Sequence, residues 1–206
     1  WVSYPDMAKL IGAIPVPALP EDGTFYPRLK DIEDRVGSYT KAVIINSPNN
    51  PTGQVYPKKD LLALGELLKK KGQEYNRTIY FISDEPYRKI VYDGVKVPSI
   101  FTSYRDSIIG TSYSKDISIP GERIGFAAVN PAADFHDDVL NGMALANRIL
   151  GFVNAPALMQ KIIACLQGTS VDISLYQRKR DLLCEGLADA GYTFVTPPGT
   201  FYLFPK

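Results

Sequence analysis

The chain has 206 residues, 45% of them hydrophobic and 22% charged, which suits a globular protein with one good-sized core, or one domain plus part of another. Twenty-three basic residues stand against 22 acidic ones, a net charge of +1, so there is no general attraction to nucleic acid or to an anionic membrane, and any anion site must be local. Charges, proline or glycine interrupt every apolar run before it could cross a bilayer. The single histidine, His136, lies in the polar stretch DFHDD and is expected at the surface. A Ser-His-Asp or Cys-His site, or a histidine metal centre, would have to run through that one residue and ranks low. Cys165 and Cys184 are far apart and lack metal-ligand spacing; they read as buried free thiols of a reducing compartment.

In chain order, Trp1 opens the sequence without a basic leader or an apolar signal segment, and GTFYLFPK closes it as a strand still under way. Both ends read as cut from a longer chain. IPVPAL (14–19) reads as a strand, YPRLKDIEDRVG (26–37) as an acidic helix, and KAVIIN (41–46) as a buried strand. KKDLLALGELLKKKGQEY (58–75) puts Leu61, Leu62, Leu64, Leu67 and Leu68 on a helical stripe with lysines opposite. TIYFIS (78–83), SIIGTSYS (107–114) and RIGFAAVN (123–130) read as further strands. Strand, helix, strand at this spacing is a βαβ unit, which implies parallel strands and a right-handed crossover. Helical patterns follow over 133–150, 155–167 and 172–191, and TFVTPPGTFYLFPK (193–206) reads as two strands around a Pro-Pro-Gly turn. The expected class is α/β, a three-layer α/β/α arrangement with a mainly parallel sheet. Residues 1–169 are assigned to one large domain and 170–206 to the beginning of a smaller α+β domain.

In an open parallel sheet, ligands bind beyond the carboxyl ends of the strands. Three loops would open there: SPNNPTG after the first buried strand, DEPY after the second, and KDISIPGERIG after the third. Together they offer an amide, a carboxylate, a phenol, a lysine, hydroxyls and an arginine. No glycine-rich fingerprint follows a strand, which argues against a nucleotide-binding domain.

NSPNNPTG, SDEPY, and SYSK followed by Arg123 resemble, in order, the signature segments of the class I/II aminotransferases, the aspartate aminotransferase-like members of the pyridoxal 5'-phosphate (PLP) enzymes of fold type I. WVSYPDMAKLIGAIPV is similar to the segment that precedes them in many members. The resemblance implies that PLP is the cofactor and that Lys115 joins it as an imine, then serves as the base once substrate amine has displaced it. It implies that Asp84 bonds the pyridine nitrogen and that Asn50 and Tyr87 donate to the phenolate oxygen. Ser112 and Arg123 would bind the phosphate, and Trp1 would stack on the ring. Asn46 and Asn49 are close neighbours of Asn50, but the family pattern selects the residue directly before Pro-Thr-Gly.

Taken alone, Lys115 reads as a surface lysine, Asp84 as a helix cap, Asn50 as a turn residue, Tyr87 as a core aromatic and Arg123 as a strand-end charge. Four motifs in register outweigh those readings. The implied activity is transfer of an amino group between an amino acid and a 2-oxo acid, in the cytoplasm, by a homodimer that uses neither nucleic acid nor membrane. The same motifs would serve a β-elimination lyase or decarboxylase of this fold. A PLP-sensing domain of a transcription regulator, without useful turnover, is a reading of a different class. The family's phosphate loop and its substrate-carboxylate arginine fall outside the sequence, so the substrate is unreadable and the chain by itself is expected to fold at least in part yet be inactive.

Overall fold

A computed structural model describes residues 2–206; Trp1, and with it the expected stacking role, lies outside the described residues. Four strands form one sheet in chain order: β1 (Ala42–Asn46), β2 (Tyr80–Asp84), β3 (Ser107–Ser112) and β4 (Gly125–Val129). β1 pairs parallel with β2, and β2 parallel with β3. Helix α3 (Lys58–Glu74) makes the first crossover, following α1 (Ser3–Leu10) and α2 (Leu29–Arg35). β4 returns antiparallel to β3. The link between them holds the single turn α4 (Tyr113–Asp116) and a 3-10 turn at Pro120–Glu122, with no helix long enough to carry the chain back along the sheet as α3 does. Helices α5 (His136–Ile149), α6 (Ala157–Cys165) and α7 (Ile173–Asp189) complete the described chain. The α/β class expected from the sequence is the one observed.

The core gathers Leu61, Leu64 and Leu68 of α3, Ile32 of α2, Ile45 of β1 and Phe81 of β2 on one face of the sheet. The leucine stripe behaves as its period requires, except that Leu62 points outward at 39% exposure. Gly65 lets α3 seat closely, since a Cβ there would come within 2.2 Å of the Ser103 carbonyl oxygen.

Three expectations need correction. Residues 14–19 form no strand: Pro15 and Pro17 carry no N–H for a ladder, and pairing nearby is limited to a bridge between Pro20 and Pro27. Residues 193–206 form no hairpin of strands. Thr193 and Lys206 exchange backbone bonds, while Pro197 and Pro198 offer no donors, and the segment docks through a bridge from Gly199 to Val91. The cysteines are not buried: Cys165, at the end of α6, is exposed and Cys184, on α7, is half-buried. His136 sits at the surface, at the start of α5, beside Asp137.

Candidate active site

The carboxyl ends of the three parallel strands lie in one row, with Asn46 opposite Asp84 and Asp84 opposite Gly110. β4 starts at the same edge, where Gly125 pairs with Ser112. The three loops singled out in the sequence therefore share one edge. A Cβ built on Gly110 meets nothing within 4 Å, so the space beside this row is open.

Asp84 is half-buried, and the hydroxyl of Tyr4 donates to its Oδ2. No lysine, arginine or histidine side chain pairs with it among the described residues. Burial raises its carboxyl above the ordinary aspartate value, and the Tyr4 bond acts in the opposite direction. Burial and the adjacent Asp84 push the Tyr4 hydroxyl far up in turn, so it stays protonated and remains a donor. A partly desolvated carboxylate with no cation beside it is a free-energy liability unless a cationic group arrives.

Asn46 acts as the strut between the first two loops. Its Nδ2 donates to the Asp84 carbonyl at 2.8 Å, and its Oδ1 accepts from the Asn50 backbone N–H at 2.7 Å. Asn49 is spent inside its own loop, on Thr52 and the Asn46 carbonyl. That leaves the Asn50 side chain free to point elsewhere, and its Nδ2 reaches the Tyr202 hydroxyl at 3.4 Å. Tyr202 in turn shares a 2.9 Å hydrogen bond with the Tyr87 hydroxyl. Burial first, and the Tyr202 bond second, hold Tyr87 well above the usual phenol range. The turn carrying Tyr87 is fastened to β3, because Glu85 N–H donates to the Gly110 carbonyl and Thr111 Oγ1 donates to the Glu85 carbonyl. The Glu85 side chain is itself buried and anchored by Arg88 at 2.7 Å.

Lys115 sits on α4, just past β3. Ser112 caps that turn, its Oγ accepting from Ser114 N–H at 3.4 Å. Lys115 Nζ lies 5.7 Å from the centroid of Phe201, whose ring meets Tyr87 edge-on at 5.4 Å. Arg123 stands apart. It is exposed, has a positive φ of 49°, and donates from Nη1 to the Pro120 carbonyl of its own loop. Of its flanking glycines only Gly125 is tight, since a Cβ there would lie 2.4 Å from the Thr111 carbonyl oxygen. Asn50, Asp84 and Tyr87 are thus drawn into one neighbourhood with Lys115 close by, Ser112 is one turn away, and Arg123 shares no hydrogen bond with any of them. Tyr4, Asn46 and Tyr202 belong to the same neighbourhood and were not singled out in the sequence. The position of Tyr4 just before a proline was its only local signal, and Tyr202 had none.

The whole chain, residues 1–206, matches the family described as aminotransferase class I and II. It belongs to that family. A probable aspartate/prephenate aminotransferase of Thermus aquaticus is 33% identical over 207 residues, covering 98% of this chain and 52% of the relative. An aspartate aminotransferase of Geobacillus stearothermophilus is 34% identical, covering 100% of the chain and 52% of the relative. Among solved structures, an amino transferase of Eubacterium rectale superposes with a TM-score of 0.97 at 42% identity, over 100% of this chain and 52% of that one. An aspartate aminotransferase of Thermotoga maritima gives a TM-score of 0.81 at 31% identity, over 100% of this chain and 53% of that one. The chain spans about half the length of the curated relatives it matches.

Class I and II aminotransferases use PLP, and the residues at this sheet edge fit that group chemically. Among the described residues no lysine, arginine or histidine pairs with Asp84, and a protonated pyridine nitrogen would give it a cationic partner. An amide and a phenol stand ready for an oxyanion, and a lysine stands one turn beyond β3 for an aldehyde.

Proposed function

We propose that this chain is the cofactor-bearing part of a PLP-dependent aminotransferase, which moves an amino group between an amino acid and a 2-oxo acid. The observation that carries this reading is Asp84, a half-buried carboxylate at the end of β2 whose described side-chain partner is a neutral hydroxyl. Such a group is poised for a cation at the open sheet edge. When bound, the cofactor would supply an electron sink for the negative charge left on the substrate α-carbon. Asp84 would keep the pyridine nitrogen protonated, with Tyr4 holding the carboxylate ionised and oriented. Asn50 and Tyr87 would donate to the phenolate oxygen, and Ser112 would donate to the phosphate. Arg123 would have to release the Pro120 carbonyl to grip the phosphate with its fork. Lys115 Nζ would hold the cofactor covalently and, once freed by substrate, take the proton from the α-carbon.

Residues 1–169 would form the large domain and 170–206 the start of the smaller one, in a cytoplasmic homodimer. The family resemblance supports these assignments, and no described helix is long and apolar enough to cross a membrane. Relatives named for aspartate make aspartate the first amino donor to assay.

The test is made on the full-length protein loaded with PLP, reduced with borohydride and mapped by peptide mass. The reduced cofactor is expected on Lys115, and its recovery on another lysine would falsify the assignment. With aspartate and 2-oxoglutarate, glutamate should accumulate; release of pyruvate and ammonia from an amino acid that carries a β leaving group, such as serine, with no glutamate formed, would move the protein to the lyases.

A further inference from the structure

The turn that carries Lys115 is too short to hold itself. α4 has four residues, and an isolated turn of that length has no helical stability of its own. Its anchor is the neighbouring residue. Asp116 is buried, at 6% exposure, and its Oδ2 lies 3.0 Å from Lys89 Nζ. Lys89 follows closely after Tyr87 on the loop from β2. The same Nζ donates to the Thr169 carbonyl at 3.1 Å, and the Asp116 carbonyl accepts from Val171 N–H at 2.6 Å. Gln167 adds a bond to the Tyr113 hydroxyl at 3.1 Å. Three stretches of chain therefore meet at one ion pair: the loop bearing Asp84 and Tyr87, the turn bearing Lys115, and residues 167–171.

That junction is energetically unusual. Asp116 Oδ1 is buried with no hydrogen-bond partner, so the carboxylate is only half satisfied. Burying a charge in that state lowers stability compared with an apolar residue of the same shape. Stability alone does not explain why an acid stands there. A directional tie does, because a charge-assisted bond fixes orientation in a way that apolar contact does not.

We propose that Asp116, held by Lys89, is a positioning residue for Lys115. The ion pair fixes the angle of the one-turn helix so that Lys115 Nζ is held beside the Phe201 ring, which packs on Tyr87. The inference rests on the reading of Lys115 as the cofactor lysine. Neither Asp116 nor Lys89 touches the reacting atoms; both act through the backbone of α4.

The experiment uses the full-length protein stripped of cofactor, in wild-type form and as Asp116→Asn, Lys89→Met and Lys89→Arg. PLP is added at a series of concentrations, and formation of the covalent link is followed by visible absorbance and confirmed by borohydride mapping. The saturating rate reports how Lys115 is placed, and the half-saturating concentration reports non-covalent binding. Misplacing a reacting group by about 1 Å can slow a step up to about a hundredfold, so Asp116→Asn and Lys89→Met should lower the saturating rate by about tenfold or more and leave half-saturation within about threefold. Lys89→Arg, which keeps the charge, should recover most of the rate. The double variant should be no slower than the slower single one, because both remove the same tie.

Saturating rates equal to wild type in Asp116→Asn and Lys89→Met would overturn the positioning role, even if both proteins melt at lower temperature. Reduced cofactor recovered on a lysine other than Lys115 would overturn the site reading and this inference with it. If Asp116→Asn fails to fold, the two Lys89 variants decide, since the Lys89 side chain is 39% exposed and its replacement empties no buried cavity.

Discussion

Exchanging Asp84 for Asn removes one negative charge and almost no volume, so it separates stability from function at a single atom. In the absence of cofactor the carboxylate is half-buried and, among the described residues, its side-chain bond is to the Tyr4 hydroxyl. A buried polar group left short of partners costs on the order of 1–3 kcal/mol, and partial exposure together with the Tyr4 bond places Asp84 near the lower end, at about 1 kcal/mol. For a domain of this size that corresponds to a rise in Tm of about 2–4 °C for the Asn variant at neutral pH.

The sign follows from linkage. Burial raises the folded carboxyl above its ordinary value of 3.8, so the folded state binds the proton more tightly than the unfolded state does. Wild-type stability is therefore lost as pH climbs from 3.8 through the raised value, and the advantage of the Asn variant should appear across that window and vanish below it. With PLP the order reverses. Losing a charge-assisted bond to the ring nitrogen costs about 1.5–3 kcal/mol, or about 10–150-fold in affinity, while turnover in the full-length protein should fall by several orders of magnitude. Thermal melts of the cofactor-free protein across pH, paired with PLP titrations, measure both effects. An Asn variant that melts at or below wild type at neutral pH, or that binds PLP equally well, would refute the view of Asp84 as a carboxylate awaiting a cation.

Tyr202→Phe removes the hydroxyl shared by Asn50 and Tyr87, and should lower stability by about 0.5–1.5 kcal/mol in denaturant titrations. A variant as stable as wild type would show that the terminal segment does not lean on the loop ends. Leu64→Ala empties a fully buried position beneath the sheet and should cost about 2–5 kcal/mol by the same measurement. A loss below about 1 kcal/mol would mean that α3 settles into the gap instead of leaving a cavity.

The strands and the first crossover were legible because their signals are local. KAVIIN and TIYFIS are short apolar runs flanked by polar residues, and the leucines of 58–74 repeat at the helical period. IPVPAL has the hydrophobicity of a strand without its donors, and proline chemistry, not pattern, decided it. The final segment alternates like a strand yet finds a single bridge at Val91, because alternation describes a surface and does not supply a partner. Asn50, Asp84, Tyr87 and Lys115 could be singled out because each sits in a motif at a strand end. Tyr4 and Tyr202 reach the same place from far along the chain, and no window of sequence contains both a hydroxyl and the group it serves. Arg123 shows the converse: its motif is plain, but its side chain is taken by the Pro120 carbonyl.

The reach of those two tyrosines sets an order of events in folding. Tyr4 meets Asp84 across 80 positions, Tyr87 meets Tyr202 across 115, and Asn50 meets Tyr202 across 152. The βαβ unit of β1, α3 and β2 closes over far shorter separations and can condense while later residues are still being synthesised. The hydroxyl cluster at its edge cannot, because its last member arrives near position 202. A nascent chain that already holds the sheet would therefore present Asp84 and Tyr87 without Tyr202 to bond. A ribosome-bound series of increasing length should show protease resistance in the sheet well before Tyr87 becomes shielded from solvent.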